Sequence, residues 1–99
     1  MPAHIEIWLG GGKNVVALAG AQVTVGRSST NDIVLDDPAA SRRHALLERL
    51  AAGWWIHDLG SLNGTLVNGR PVDREAPLYS GDEIVVGATR LVYRSDAVP

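Results

Sequence analysis

Four polar clusters carry the side chains that can bind or transform an anion: Gly26-Arg27-Ser28-Ser29, Ser41-Arg42-Arg43-His44, Asp58-Leu59-Gly60-Ser61-Leu62-Asn63-Gly64-Thr65 and Gly81-Asp82. Guanidinium groups, hydroxyls, a side-chain amide and glycine-exposed backbone N–H groups are donors, so the chemistry they share is capture of a phosphate or another oxyanion. Each alone has a plainer account, because a loop arginine is usually solvated and a serine or asparagine beside glycine stabilises its own turn. Ser41, His44 and Asp58 are also the residue types of a nucleophilic triad. The Ser41-Arg42-Arg43-His44 stretch, however, lacks the Gly-x-Ser-x-Gly turn that exposes a nucleophile. Three histidines, no cysteine and no His-Glu-x-x-His spacing give no basis for a zinc site, and His4 and His57 read as incidental.

These clusters need elements to hold them, and the elements read as short strands. Ile5, Ile7 and Leu9 alternate, Gly10-Gly11-Gly12 suits a tight turn, and Val15 to Ala19 completes a hairpin. Gln22 to Gly26, Ile33 to Leu35, Trp54 to Asp58, Thr65 to Asn68, Glu83 to Val86 and Thr89 to Arg94 follow, separated by Gly-, Asn-, Asp- and Pro-rich turns. Many short strands at close spacing indicate an all-β sandwich or barrel, in which connections gather at two ends and can bring distant residues to one ligand. Ala39 to Ala52 dissents: it is rich in helix formers, with Ser41 as N-cap and Gly53 as stop, so local propensity favours a helix there. Its Ala45, Leu47 and Arg49 can equally alternate against Leu46, Glu48 and Leu50.

Ninety-nine residues suit one domain, and a chain of this size can bury roughly two thirds of its unfolded surface without a disulfide or metal. The absence of cysteine excludes thiolate chemistry and is consistent with a reducing cytoplasm. A formal charge of -2 gives no general attraction to nucleic acid or to an anionic membrane, so any basic site is local. Apolar runs such as Ile84-Val85-Val86 fall far short of the roughly 20 residues of a membrane helix, and no signal-peptide pattern follows Met1. The expected setting is therefore the cytoplasm, without membrane insertion. Eight arginines against the single Lys13, with abundant Ala, Val and Gly, fit a bacterial genome of high GC content. Asn63-Gly64-Thr65 matches the N-glycosylation pattern, which matters only in a secreted eukaryotic protein. One of Trp54 and Trp55 should face the core, and Asp32 to Asp37 reads as a solvated turn.

The order and spacing of the clusters resemble the forkhead-associated (FHA) domain. The match runs from Gly26-Arg27 and Asp32-Ile33-Val34-Leu35, through Ser41-Arg42-Arg43-His44 and Asp58 to Gly69, to Gly81-Asp82-Glu83-Ile84 and Gly87. This resemblance implies an FHA-type (SMAD/FHA-like) β-sandwich of about eleven strands with ligand-binding loops at one end. It makes His44 to Leu50 extended rather than helical. It implies a single domain over residues 1–99, with 96–99 as tail, that binds phosphothreonine in a partner protein and performs no chemistry. Arg27 then contacts phosphate, Ser41 reaches it through hydroxyl and backbone, Arg42 adds a second guanidinium, and Asn63 bonds the peptide main chain. Gly26, His44, Gly64 and Thr65 shape the loops, with His44 ordering the Ser41 loop, while Arg43 points away. Leu62 stands where other members carry a Thr, so any contact from it is apolar or through its backbone. The implied partners are phosphothreonine-containing proteins, a Ser/Thr protein kinase or its substrates; no cofactor, metal or nucleic acid is required. A phosphate-independent scaffold or dimerisation module on the same fold is the alternative. The chain reads equally as a complete small protein or as the N-terminal module of a longer one, and with no Thr before Thr24 a switch by its own phosphorylated N-terminal tail is not expected.

Overall fold

Period-two burial shapes the whole chain. In Ala3–Leu9 (β1) the side chains of Ala3, Ile5 and Ile7 are buried, and in Glu83–Val86 (β10) those of Ile84 and Val86. The structure, a computed structural model, describes residues 2–51 and 53–96. Nine more strands complete the set: β2 (Gly12–Ala17), β3 (Gln22–Gly26), β4 (Ile33–Val34), β5 (Ala45–Leu50), β6 (Gly53–Asp58), β7 (Thr65–Val67), β8 (Arg70–Pro71), β9 (Glu75–Pro77) and β11 (Thr89–Ser95). They form a six-stranded sheet in the order β2-β1-β11-β10-β7-β8 and a five-stranded sheet in the order β4-β3-β5-β6-β9. Pairing is antiparallel except between β3 and β4. Ile5, Ile84, Leu91 and Tyr93 of the first sheet meet Val25, Leu47, Trp54 and Ile56 of the second in one buried cluster. This is the two-sheet packing of a β-sandwich.

Within the segment of helical propensity, Ala45–Leu50 is a strand, as the family resemblance implied. In β5, Ala45 and Leu47 are fully buried while Leu46 and Glu48 are partly exposed, an alternation that no helix would give. β5 lies between β3 and β6 and pairs with both. A helix there would leave two strand edges without hydrogen-bond partners, so tertiary pairing overrides local preference.

Strand limits differ from expectation by a few residues. β2 begins at Gly12, which already pairs with Leu9, so the first turn is Gly10-Gly11 and the strand ends at Ala17 instead of Ala19. β8 and β9 were not anticipated, because each contains a proline, Pro71 and Pro77. Both lie at sheet edges, where a missing N–H is tolerated. Trp54 enters the core and Trp55 is half-buried, as the adjacent pair requires. Of the expected tail, Asp96 donates its N–H to the Pro2 carbonyl at 3.0 Å, and residues 97–99 lie outside the described residues. None of the described elements is a helix, and none is therefore a helix long and apolar enough to cross a membrane.

Leu47 sits at the centre of both sheets' contact with no exposed surface. Leu47→Ala should lower unfolding stability by about 2–5 kcal/mol, measured as a shift in urea midpoint at unchanged slope.

Candidate anion-binding rim

Four connections meet at one end of the sandwich: β3–β4, β4–β5, β6–β7 and β10–β11. Main-chain bonds stitch the first two together, with Arg27 N–H donating to the Ser41 carbonyl at 3.0 Å and Ser28 N–H to the Arg42 carbonyl at 3.1 Å. Leu59 N–H donates to the His44 carbonyl at 3.0 Å, joining the β6–β7 connection to the base of the β4–β5 loop. The Ala88 N–H of the β10–β11 turn reaches Asp37 Oδ2 at 2.8 Å.

Arg27 lies exposed just beyond β3, and its Nε donates to the Ala40 carbonyl at 3.1 Å. That single bond aims the guanidinium while leaving its terminal amino groups without a protein partner among the described residues. Gly26 permits the approach, since a Cβ there would lie 2.2 Å from the Arg42 carbonyl oxygen. Ser41 is partly exposed; its Oγ accepts the Leu62 N–H at 3.0 Å, so its own hydroxyl proton has no acceptor within the described residues. In the Ser41 backbone, which the resemblance also assigned to phosphate, the N–H donates to His44 Nδ1 at 3.0 Å and the carbonyl accepts from Arg27. Only the hydroxyl remains to donate.

His44 is fully buried. Because Nδ1 accepts from Ser41, Nε2 carries the ring proton and donates it to the Gly64 carbonyl at 2.8 Å. The imidazole thus ties the Ser41 loop to the loop carrying Asn63, and neither nitrogen faces the Ser41 hydroxyl, so Ser41, His44 and Asp58 are not arranged as a triad. Asn63 is exposed, with Nδ2 donating to the Ala39 carbonyl at 2.8 Å, and its Oδ1 remains free of protein partners among the described residues. Arg42 and Arg43 are exposed, and among the described residues none of Arg27, Arg42 and Arg43 forms an ion pair. Leu62, 89% exposed, projects from the tip of the same loop.

Asp58 organises the β6–β7 loop. Its Oδ2 accepts the N–H groups of Gly60 and Ser61 at 3.1 Å each, and its Oδ1 the hydroxyls of Ser61 at 2.6 Å and Thr65 at 2.8 Å. Burial alone would raise its pKa, but the Ser61 and Thr65 hydrogen bonds outweigh burial and hold the carboxyl below the ordinary aspartate range. Thr65 is buried through this bond, and Gly64 adopts a φ of 79°, a left-handed conformation suited to glycine.

Two residues escaped the sequence reading. Asn31, buried, donates Nδ2 to the carbonyls of Ser28 at 2.8 Å and Arg42 at 2.7 Å, fastening the β3–β4 loop to the β4–β5 loop; the run Ser28-Ser29-Thr30-Asn31 carried a signal only of turn formation. Asp37, expected in a solvated turn with Asp36, is instead 7% exposed and fully hydrogen-bonded, while Asp32 and Asp36 remain at the surface.

Asp58 and Asp37 both carry lowered pKa values, so their contribution to stability is complete above the unfolded aspartate pKa and disappears as pH falls through the lower folded value. Unfolding midpoints should fall below about pH 4, and Asp58→Asn should flatten part of that acid limb, as read by denaturation at each pH.

The comparisons with known proteins agree with this geometry. A family model described as the FHA domain matches residues 23–87. The oxoglutarate dehydrogenase inhibitor of Corynebacterium diphtheriae is 49% identical over 70 residues, covering 71% of this chain and 48% of that protein. The chain thus spans about half the length of the curated relatives it matches. A structure solved in a structural and functional analysis of phosphothreonine-dependent FHA domain interactions superposes with a TM-score of 0.90 at 28% identity, covering 99% of this chain and 100% of that one. EmbR of Mycobacterium tuberculosis, in complex with a low-affinity phosphopeptide, superposes with a TM-score of 0.89 at 28% identity over 99% of this chain and 25% of its own. With its motifs in order, its two sheets in FHA arrangement and the family match covering most of its length, the chain belongs to the FHA domain family.

Proposed function

We propose that the rim of Arg27, Ser41, Arg42 and Asn63 holds a phosphothreonine-bearing segment of a partner protein in Ser/Thr kinase signalling, and that the chain binds without turning anything over. The observation that carries this reading is the exposed guanidinium of Arg27, aimed by one bond to Ala40 and left without an acidic partner in a chain of net charge -2. A phosphothreonine brings about -1.5 to -2 charge and three strong acceptor oxygens. Arg27 offers paired N–H donors of matching geometry, the Ser41 hydroxyl a neutral donor, and Arg42 a second cation. Asn63, held on one side by Ala39, keeps its carbonyl for the main-chain N–H of an extended peptide. The FHA structures above, one from a study of phosphothreonine-dependent interactions and one in complex with a phosphopeptide, support the same ligand class.

Under this reading residues 1–99 act as one FHA domain, with 96–99 as tail, in the cytoplasm, a compartment with which a cysteine-free chain is compatible. Its partners are phosphorylated kinase substrates or a phosphorylated kinase.

Calorimetric titration with a phosphothreonine peptide and its unphosphorylated and phosphoserine twins tests the proposal. Binding should be confined to phosphorylated peptides and be stronger for threonine; equal affinity for the phosphorylated and unphosphorylated forms would sink it in favour of a phosphate-independent scaffold. Arg27→Ala should cost about 1.5–3 kcal/mol of binding while leaving the urea midpoint nearly unchanged. An unaltered Kd would remove Arg27 from the site.

A further inference from the structure

We propose that Asp37 is a positioning residue for the rim: its carboxylate fastens the loop at Ala39 to the β10–β11 turn and so sets the place of the Ala39 and Ala40 carbonyls that aim Asn63 and Arg27. The inference rests on the reading of this rim as the phosphothreonine site.

The carboxylate makes three contacts. Oδ1 accepts the Ala39 N–H at 2.9 Å, and Oδ2 accepts the Ala88 N–H at 2.8 Å and the Thr89 hydroxyl at 2.7 Å, the last of these fully buried. Its main-chain carbonyl accepts the Ala40 N–H at 3.0 Å, closing a turn over the side chain. Gly87 admits the close approach, since a Cβ there would stand 2.7 Å from both Ala40 N and Asp37 Oδ2. One carboxylate therefore joins the turn of the six-stranded sheet to the loop that leaves β4 of the five-stranded sheet.

The outer side of that loop is where the rim is aimed. The Ala39 carbonyl accepts from Asn63 and the Ala40 carbonyl from Arg27. The peptide unit of the first is held at its Ala40 N–H by the Asp37 main-chain carbonyl and that of the second at its Ser41 N–H by His44, while the Asp37 carboxylate anchors the chain just upstream of both, at the Ala39 N–H. Asparagine at position 37 has the same shape, but with one oxygen and one NH2 it faces either the Ala39 N–H or the Ala88 N–H with a donor, so the link between loop and turn breaks at one of the two in either orientation. The turn must then separate from the loop, and the Ala39 and Ala40 carbonyls move with it. Thr89→Val removes one of the three donors and leaves the carboxylate in place.

The test uses the ligand-free, 15N-labelled chain first. Asp37→Asn should displace the Arg27 Nε–H and Asn63 side-chain amide resonances and speed their hydrogen exchange. It should leave in place the Asn68 side-chain amide, which donates to Asp82 at 2.9 Å and serves as control. Thr89→Val should shift the Arg27 and Asn63 signals in the same sense by less. In titration with the phosphothreonine peptide, Asp37→Asn should raise Kd about tenfold, and its combination with Asn63→Ala should fall short of the product of the two single effects. A folded Asp37→Asn protein with unmoved Arg27 and Asn63 signals, or with fully multiplicative effects on Kd, overturns the proposal. If Asp37→Asn does not fold, Thr89→Val decides: unmoved signals overturn the proposal, and the expected shift upholds it. Should the wild-type chain bind phosphorylated and unphosphorylated peptides equally, the phosphothreonine reading alone fails, because the ligand-free spectra still decide whether Asp37 sets the rim.

Discussion

An anion site built from flexible side chains must satisfy two demands that oppose each other. The donors must be held still, and they must remain unsatisfied until the ligand arrives. The rim meets both through three consecutive backbone carbonyls, those of Ala39, Ala40 and Ser41, which accept from Asn63 Nδ2, Arg27 Nε and Arg27 N. Arg27 and Asn63 each commit one side-chain donor to the protein and keep the rest. A long arginine side chain loses up to about 2 kcal/mol of rotamer entropy when immobilised, so the portion already ordered by the Ala40 bond need not be ordered again on binding.

The fold supplies the rigidity that these carbonyls need. Residues 35–44 contain no strand, yet side chains brace them: His44 takes the Ser41 N–H, Asp37 takes the Ala39 N–H, and Asn31 takes the Arg42 carbonyl. Two of these buried bracing side chains, His44 and Asp37, face different neighbours. His44 links the loop to Gly64 on the β6–β7 connection, and Asp37 links it to Ala88 and Thr89 at the β10–β11 turn. Buried polar groups in such numbers are tolerable only because they are hydrogen-bonded, since an unmatched buried donor or acceptor costs about 1–3 kcal/mol.

Much of this was legible in the chain, for reasons that differ by residue. Strands such as Glu83–Val86 could be read because burial on one face enforces a period of two, and Asn63-Gly64 and Asn68-Gly69 mark turns through their backbone preferences. Ala45–Leu50 could not be read from local propensity, because the pairing of both its edges is a property of β3 and β6; the ordered motifs of the family supplied that answer. Pro71 and Pro77 hid two edge strands for the opposite reason: only topology shows that the strands containing them are at edges. Asp37 was misread because Asp36-Asp37-Pro38 has the composition of a surface turn, and its Oδ2 partners Ala88 and Thr89 lie about half the chain away. The bond between Ser41 N–H and His44 Nδ1 was hidden for a related reason, since the spacing says that the two residues are near but not which atoms meet.

The acidic residues near the rim complete the electrostatic argument. A chain with more acids than bases could easily neutralise its own arginines, and a free carboxylate beside Arg27 would compete with any phosphate for the same donors. Asp37 and Asp58 avoid this by having their oxygen atoms occupied by N–H and O–H groups of their own loops. Each hydrogen bond offsets desolvation and keeps the acid ionised, and the acid in turn orders the loop that carries a donor. Their negative charge therefore acts locally, on backbone dipoles and hydroxyls, while the guanidinium groups of Arg27, Arg42 and Arg43 stay exposed and without an acidic partner among the described residues. Local positive potential in a net-negative protein thus follows from where the carboxylates find their hydrogen bonds, and the net charge of -2 says nothing against an anion at this end.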